Sequence, residues 1–236
     1  MSAPRMVAAL IRHGDYEQLP NTPSAHQPFP LNKSGAAQVA AAIPELLTLT
    51  RQLGLHLSHQ VDSSQLLRAW QTANLFAQGL QDQFATTPII TSYDALAERC
   101  VGSAANLTTA EIEAVLKQDP RFSEPPKDWK SNSYYQLPLQ GAESLMMAGE
   151  RVAGHIIEQV QNLQETIQQD TLKLFVGHGA AFRHAAHQLG VLAFDDIAKL
   201  SMYHARPVLL ELRADGSWCH IGGEWKVRKK HSAYLD

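Results

Sequence analysis

Met6-Val7-Ala8-Ala9-Leu10-Ile11 runs into Arg12-His13-Gly14, and far downstream Leu172-Lys173-Leu174-Phe175-Val176 runs into Gly177-His178-Gly179. A short, largely apolar run reads as a strand buried on both faces, the pattern of parallel sheets covered by helices. Each run ends at a histidine beside glycine, and open α/β sheets bind ligands outside the carboxyl ends of such strands. Two imidazoles are therefore expected to share one pocket.

Between these strands the chain alternates. Four prolines within residues 15–30 make a loop after the first strand. Asn32 or Ser34 can cap a helix running to Leu53, with Gly54 ending it and Pro44 expected to kink or shorten it. A short extended stretch over 57–61 precedes Asp62-Ser63-Ser64, which reads as the cap of a helix reaching about Leu80, with Arg68 near its first turn. Residues 88–91 resemble another strand, followed by a loop holding Asp94, Glu98 and Arg99. Periodic apolar positions over 141–168, from Leu145 to Ile167, predict a long helix. A further helix is expected over 180–189. Residues 208–213 and 218–221 flank Asp215-Gly216, which suits a hairpin with a two-residue loop. Strands alternating with helices imply an α/β three-layer sandwich, a mainly parallel central sheet with helices on both faces.

At 236 residues the chain suits a single domain, 1–236, with an insertion or lid at about 103–140, where Pro120, Pro125, Pro126 and Pro138 surround a short helix and Trp129, Tyr134 and Tyr135. Those aromatics would either line the substrate site or close the insertion's own core. With 44% hydrophobic residues, 18% charged and no long apolar run, neither disorder nor a membrane span is indicated. The net charge of −3 gives no general attraction to nucleic acid or anionic lipid. Arg228-Lys229-Lys230 reads as a solvated tail. Cys100 and Cys219 stand alone, which fits a cytoplasmic location, and the apolar start is too short for a signal peptide. The histidines lack close ligand spacing, which argues against a metallohydrolase.

Arg12-His13 sets a planar multi-donor cation beside a nucleophile that can be uncharged near neutral pH, a pairing suited to attack on phosphorus. The tripeptide gains weight from companions in a fixed order: Arg68 within Ser64-x-x-x-Arg68-Ala69-x-Gln71-Thr72-Ala73, then Glu98-Arg99, then Gly177-His178-Gly179. With Pro30-Leu31-x-x-x-Gly35 and Gly141-Ala142-Glu143-Ser144, these motifs resemble the histidine phosphatase superfamily, the phosphoglycerate mutase-like fold, over nearly the whole length.

The resemblance implies that His13 is the nucleophile that becomes phosphorylated, that Arg12, Arg68, His178 and Gly179 hold the phosphoryl oxygens, and that Glu98 donates the proton. Asp15 is the competing proton donor. The residue after the second histidine is Gly179 rather than aspartate, which disfavours the phytase-like branch. It further implies no metal, no cofactor and a small phosphorylated metabolite as partner, with a homodimer left open. Mutases of the family continue the first motif with Glu-Ser and later Trp-Asn, whereas this chain has Asp15-Tyr16-Glu17, and the loops show no extra cluster of cations for a bisphosphate. A metal-independent phosphomonoesterase is the expected function. Phosphohistidine protein phosphatase, mutase-type phosphotransferase and non-catalytic binding module are the alternatives. His184, His187 and His204 are given no role, Arg183 is left outside the site, and Glu143-Ser144 is read as a helix start.

Overall fold

The structure is a computed structural model that describes residues 3–23 and 26–228. Lys229 and Lys230 of the basic tail lie outside the described residues.

The central sheet is built from β1 (Met6–Arg12), β2 (His56–Ser64), β3 (Ile89–Tyr93), β4 (Thr171–Gly177), β6 (Pro207–Leu212) and β7 (Trp218–Gly223), in the spatial order β3-β2-β4-β1-β6-β7. The first four are parallel, while β6 pairs antiparallel with β1 and β7 antiparallel with β6. β5 (Leu200–Met202) and β8 (Trp225–Val227) form a separate two-stranded ribbon that the sequence reading does not anticipate. At three residues each, neither strand shows a period.

Strand alternation splits the core into two layers. Val7, Ala9 and Ile11 of β1 face one side, with α1 (Lys33–Leu53) and α2 (Leu67–Gly79). Met6, Ala8 and Leu10 face the other, with α4 (Leu145–Gln164) and α5 (Gly179–Gln188). Because both faces are covered, β1 carries no polar residue until it reaches the site. Lys173 is the exception in β4: fully buried, it donates to Asp62 Oδ1 at 2.7 Å, and His155 Nε2 lies 2.9 Å from the other carboxylate oxygen.

The helices follow their sequence signals with two corrections, and the last hairpin with one. Asn32 caps α1 by accepting from Gly35 N, and Gly54 closes it in the left-handed region at φ 67°. Pro44 does not shorten α1: it lies on the exposed face, where water can satisfy the carbonyl one turn back that has lost its N–H partner. Asp62-Ser63-Ser64 are the last residues of β2 rather than a cap, and α2 begins without a side-chain cap at Leu66. The β6–β7 loop has three residues, with Arg213 N bonded to Ser217 O around a Gly216 at φ 83°, instead of the two-residue turn.

Between β3 and α4 the insertion holds α3 (Thr109–Gln118), closed at its start by a capping box of Thr108 and Glu111. Val101, Ala104, Ile112, Leu116, Trp129 and Leu137 make a small core there. The remaining helix, α6 (Phe194–Ile197), is a single turn. Among the described residues no helix is long and apolar enough to cross a membrane.

Candidate active site

Strand register brings the two histidines together. In the parallel β1–β4 pair Arg12 lies opposite Gly177, and His13 N donates to Gly177 O at 2.9 Å, so His13 and His178 leave the sheet side by side. Their ring centroids are 5.1 Å apart. On the other flank of β4, Ser63 of β2 pairs with Val176, which sets Ser64 beside His178 and its Oγ 3.0 Å from Nε2.

Arg68, on the first turn of α2, reaches into the space between the rings. Its Nε donates to His13 Nε2 at 3.2 Å, its Nη2 lies 3.3 Å from His178 Nδ1, and its Nη1 donates to Gln27 O at 2.7 Å. The Tyr16 ring lies 4.5 Å from the guanidinium carbon. Thr72, one turn along α2, accepts from Gly14 N at 3.0 Å and donates to Arg68 O, which ties the loop after β1 to the helix that carries the arginine.

These contacts define the protonation of both rings. His13 donates from Nδ1 to Gly14 O at 2.7 Å, which leaves the lone pair of Nε2 facing Arg68. Burial first, then the positive charges of Arg68, His178 and Arg12, push the His13 pKa well below the usual imidazole value, against the opposing bond to Gly14. Burial and Arg68 lower His178 in the same way. Arg68 itself is lowered to about 10, chiefly by desolvation, and stays charged at neutral pH.

Gly179 and Gly35 allow the backbones to close on the site. A Cβ on Gly179 would lie 3.0 Å from Arg12 Cδ, so the arginine stem packs over the start of α5 while its Nη1 donates to Met202 O at 3.1 Å. A Cβ on Gly35 would lie 2.0 Å from Asp15 O, and one on Gly14 would lie 2.7 Å from Gly35 O. Only glycine at these points lets α1 pack against the loop that follows His13.

Glu98 is buried and accepts from three backbone N–H groups: Arg99 at 2.9 Å and Ala181 at 3.1 Å on Oε1, and Ala180 at 3.3 Å on Oε2. It thus sits at the N-terminal turn of α5, directly after His178. Asp15 instead accepts from Asn32 Nδ2 at 2.9 Å, in the hinge between loop and α1.

A cavity of about 130 Å³ opens on Glu98 and Ala180. It does not include His13 or Arg68; its wall holds Arg99, Lys130, Arg183, His184 and Arg228. The sequence reading found no cation cluster because these side chains come from four separate segments. Buried Arg183 is held by the carbonyls of Gly179, Ile197 and Leu200. His184 is lowered to about 4, mainly by burial; its Nδ1 donates to Ala180 O at 2.8 Å and its Nε2 receives the Ser133 hydroxyl at 3.0 Å.

Of the insertion aromatics, Trp129 closes the insertion's own core and donates to Glu113, while Tyr134 is exposed and stacks with Phe194 at 5.4 Å. Ser144 caps α4 as expected, but Glu143 pairs with Arg151 at 2.8 Å and accepts from Cys100 N. Tyr16, Gln27 and His204, whose ring stacks on His13 at 5.8 Å, were missed, since nothing local marks a residue from a distant loop. Ser64 and Thr72 belong to the same sequence motif as Arg68, and their contacts with His178 and Gly14 depend on the tertiary fold. Among the described residues no three His, Cys, Asp or Glu side chains are grouped to hold a metal ion.

A model of the histidine phosphatase superfamily (branch 1) matches residues 8–221. No curated protein matches the chain by sequence. Among solved structures, a mycobacterial glucosyl-3-phosphoglycerate phosphatase superposes with a TM-score of 0.67 at 19% identity, covering 95% of this chain and 100% of that one. A phosphoglycerate mutase from Bacillus anthracis gives 0.67 at 17% identity over 93% of each chain. An Escherichia coli protein assigned as an α-ribazole-5'-P phosphatase gives 0.61 at 17%, over 94% and 96%. At these identities the likeness is one of fold.

Proposed function

Because this chain belongs to the histidine phosphatase superfamily, branch 1, we propose that it is a phosphomonoesterase acting through a phosphohistidine on His13. The observation that carries this reading is the Arg68 guanidinium bridging an uncharged His13 and His178, with hydrogen-bonding distances to both rings.

A transferring phosphoryl group spreads negative charge over three oxygens and is stabilised by donors already in place. Arg68 offers its N–H groups, His178 a ring N–H, and Arg12 a second cation. His178 has to present Nδ1–H to a bound anion, and Ser64 makes that tautomer accessible because its hydroxyl can donate to Nε2 as readily as accept from it. These cations supply the charge neutralisation, so the chemistry asks for no metal.

In the first step the His13 Nε2 lone pair forms the N–P bond, the ester P–O bond breaks, and Glu98 gives its proton to the departing oxygen. Oε1 of Glu98 already takes two N–H bonds, so Oε2, with one long bond, is the oxygen able to carry that proton. In the second step Glu98 takes a proton from water, the water oxygen bonds to phosphorus, and the P–N bond breaks to return neutral His13 and inorganic phosphate. Asp15 is engaged with Asn32 at the start of α1, which disfavours it as the donor.

Transfer of the phosphoryl group back to another hydroxyl is the second reading, and the cations around the cavity beside Glu98 are the observation that favours it. One experiment separates the readings. Wild type is incubated with a panel of phosphomonoesters, assayed for both free phosphate and isomerised ester, and the protein is quenched to trap acid-labile phosphate. Phosphate release with labelled His13, lost in His13→Ala, supports the phosphatase. Isomer without phosphate release supports the transferase, and label absent from the protein during turnover overturns both.

A further inference from the structure

Three rings surround His13, and one of them belongs to a residue to which sequence reading assigns no role. Tyr16 stands perpendicular to the His13 ring, at 5.2 Å and 86°, and His178 lies tilted at 5.1 Å. The ring of His204 stacks on it at 5.8 Å, with 28° between the planes. We propose that His204 is a positioning residue for the reaction, whose ring holds the plane of His13 so that Nε2 stays in line with phosphorus in both steps. The inference rests on the reading of His13 as the nucleophile and extends it to the residue that keeps the nucleophile aimed.

The backbone delivers that ring. β6 pairs with β1 as far as Pro207 opposite Ile11, so residues 203–206 cross the carboxyl end of β1. Fully buried Ala205 takes a φ of 60°, in the left-handed region that a residue bearing a Cβ enters only at an energetic cost. Such a conformation persists where its surroundings hold it. Here Ala205 N donates to Arg12 O at 2.8 Å, and Arg12 Nη1 donates to Met202 O at 3.1 Å. Both ends of the segment 202–205 are thus fastened to the residue that precedes His13, and His204 lies between the two bonds. Its neighbour Tyr203 is engaged elsewhere, with the Arg206 guanidinium 4.9 Å and the Lys226 ammonium 5.9 Å from its ring.

What the stack supplies follows from the bonds that His13 makes without it. Nδ1 donates to Gly14 O and Nε2 accepts from Arg68. Ring nitrogens bond in the plane of the ring, so these two bonds fix its ends, yet a ring held at two points can still swing about the line that joins them. Contacts on its faces oppose that swing, and His204 covers one, within the range of about 4.5–7 Å over which offset rings attract. The need grows after the first step. Once Nε2 is bonded to phosphorus it has no lone pair with which to accept from Arg68, and of the two bonds only that to Gly14 O remains. Attack by water then needs the P–N bond in line with the incoming oxygen, and a displacement of about 1 Å can cost about a hundredfold in rate.

The test compares His204→Ala, His204→Asn and His204→Phe. Asparagine keeps a polar group without the ring, and phenylalanine keeps a ring without the polar group. His204 is half-buried, so truncation opens no closed cavity in the core. Inorganic phosphate, titrated calorimetrically, counts the competent sites and should bind each variant within about twofold of wild type, because Arg12, Arg68 and His178 are unchanged. With p-nitrophenyl phosphate, kcat per competent site should fall by roughly ten- to a hundredfold in the alanine and asparagine variants and return to within about threefold of wild type in the phenylalanine variant. A kcat near wild type in His204→Ala, or a loss that asparagine restores and phenylalanine does not, overturns the proposal while leaving the phosphatase intact. If wild type turns over no ester, the functional reading is lost. In that case, or if all three variants lose activity alike, NMR relaxation of the carbon-13-labelled His13 ring decides. Its order parameter should fall in His204→Ala and His204→Asn and recover in His204→Phe, and equal values in all four proteins overturn the hold of His204 on His13.

Discussion

Nε of Arg68 lies 3.2 Å from Nε2 of His13, on the lone pair that would attack phosphorus. The guanidinium therefore caps that lone pair and, after burial, is the main charge that disfavours the protonated imidazole.

Arg68→Ala should lower kcat/KM by roughly two to three orders of magnitude, as expected for loss of a preorganised donor to transition-state charge. Arg68→Lys keeps the charge but not the fork of N–H groups and should recover only part of the loss. Steady-state kinetics with p-nitrophenyl phosphate checks both, and a variant with wild-type kcat/KM would remove Arg68 from the reaction.

Acid should inactivate the protein only well below pH 6.5. Protonation of His13 removes the lone pair that attacks, and its pKa is lowered by burial and by Arg68, so the acid limb of kcat/KM is displaced downward. In Arg68→Ala one of the lowering charges is gone, and the limb should move up. A limb that stays in place in the variant would mean that another group sets it.

Glu98→Gln should slow esters with poor leaving groups far more than p-nitrophenyl phosphate, whose leaving oxygen needs no proton. The comparison is made by plotting kcat/KM against leaving-group pKa, and the slope should become steeper in the variant. Parallel plots would move the proton-donor role elsewhere, with Asp15 the next residue to change.

His184 predicts part of the acid lability of the fold. Its folded pKa of about 4 lies below the ordinary 6.5, so the unfolded chain binds the proton first. The stability that neutral His184 provides is complete above pH 6.5 and is lost as pH falls toward 4, in total roughly 3 kcal/mol. Urea unfolding at stepped pH should show this decline, and His184→Gln should make it shallower. Identical slopes would discount the assignment.

Gly35→Ala should destabilise the fold by roughly 3 kcal/mol, because the new Cβ would meet Asp15 O at 2.0 Å and neither backbone can yield cheaply. Thermal unfolding measures the loss. A melting temperature equal to wild type would show that the loop after His13 is free to move away from α1.

Much of this arrangement is written locally. The apolar runs of β1 and β4 have nothing but helices to face, so their strand character survives without context. Asn32 and Gly54 mark the ends of α1 through their own hydrogen bond and backbone angle. Where the reading departs from the fold, a longer-range contact prevails. Asp62-Ser63-Ser64 has the composition of a helix cap, yet Asp62 is drawn into β2 by Lys173 and His155, more than ninety residues away. The ribbon of β5 and β8 is too short to leave a pattern.

The order of the motifs along the chain, from Arg12-His13-Gly14 to Gly177-His178-Gly179, sufficed for the family and the layered α/β architecture, and it named the residues proposed for the reacting centre. Their chemistry depends on residue type at strand ends, which is a local property. Tertiary structure alone decided that Arg68 stands between the two imidazoles, that His204 stacks on His13, and that Arg99, Lys130, Arg183 and Arg228 meet around one cavity. Distances between residues far apart in sequence are set by strand register and helix packing, and electrostatic effects fall off with those distances, so a linear chain carries the charges but not the field they make together.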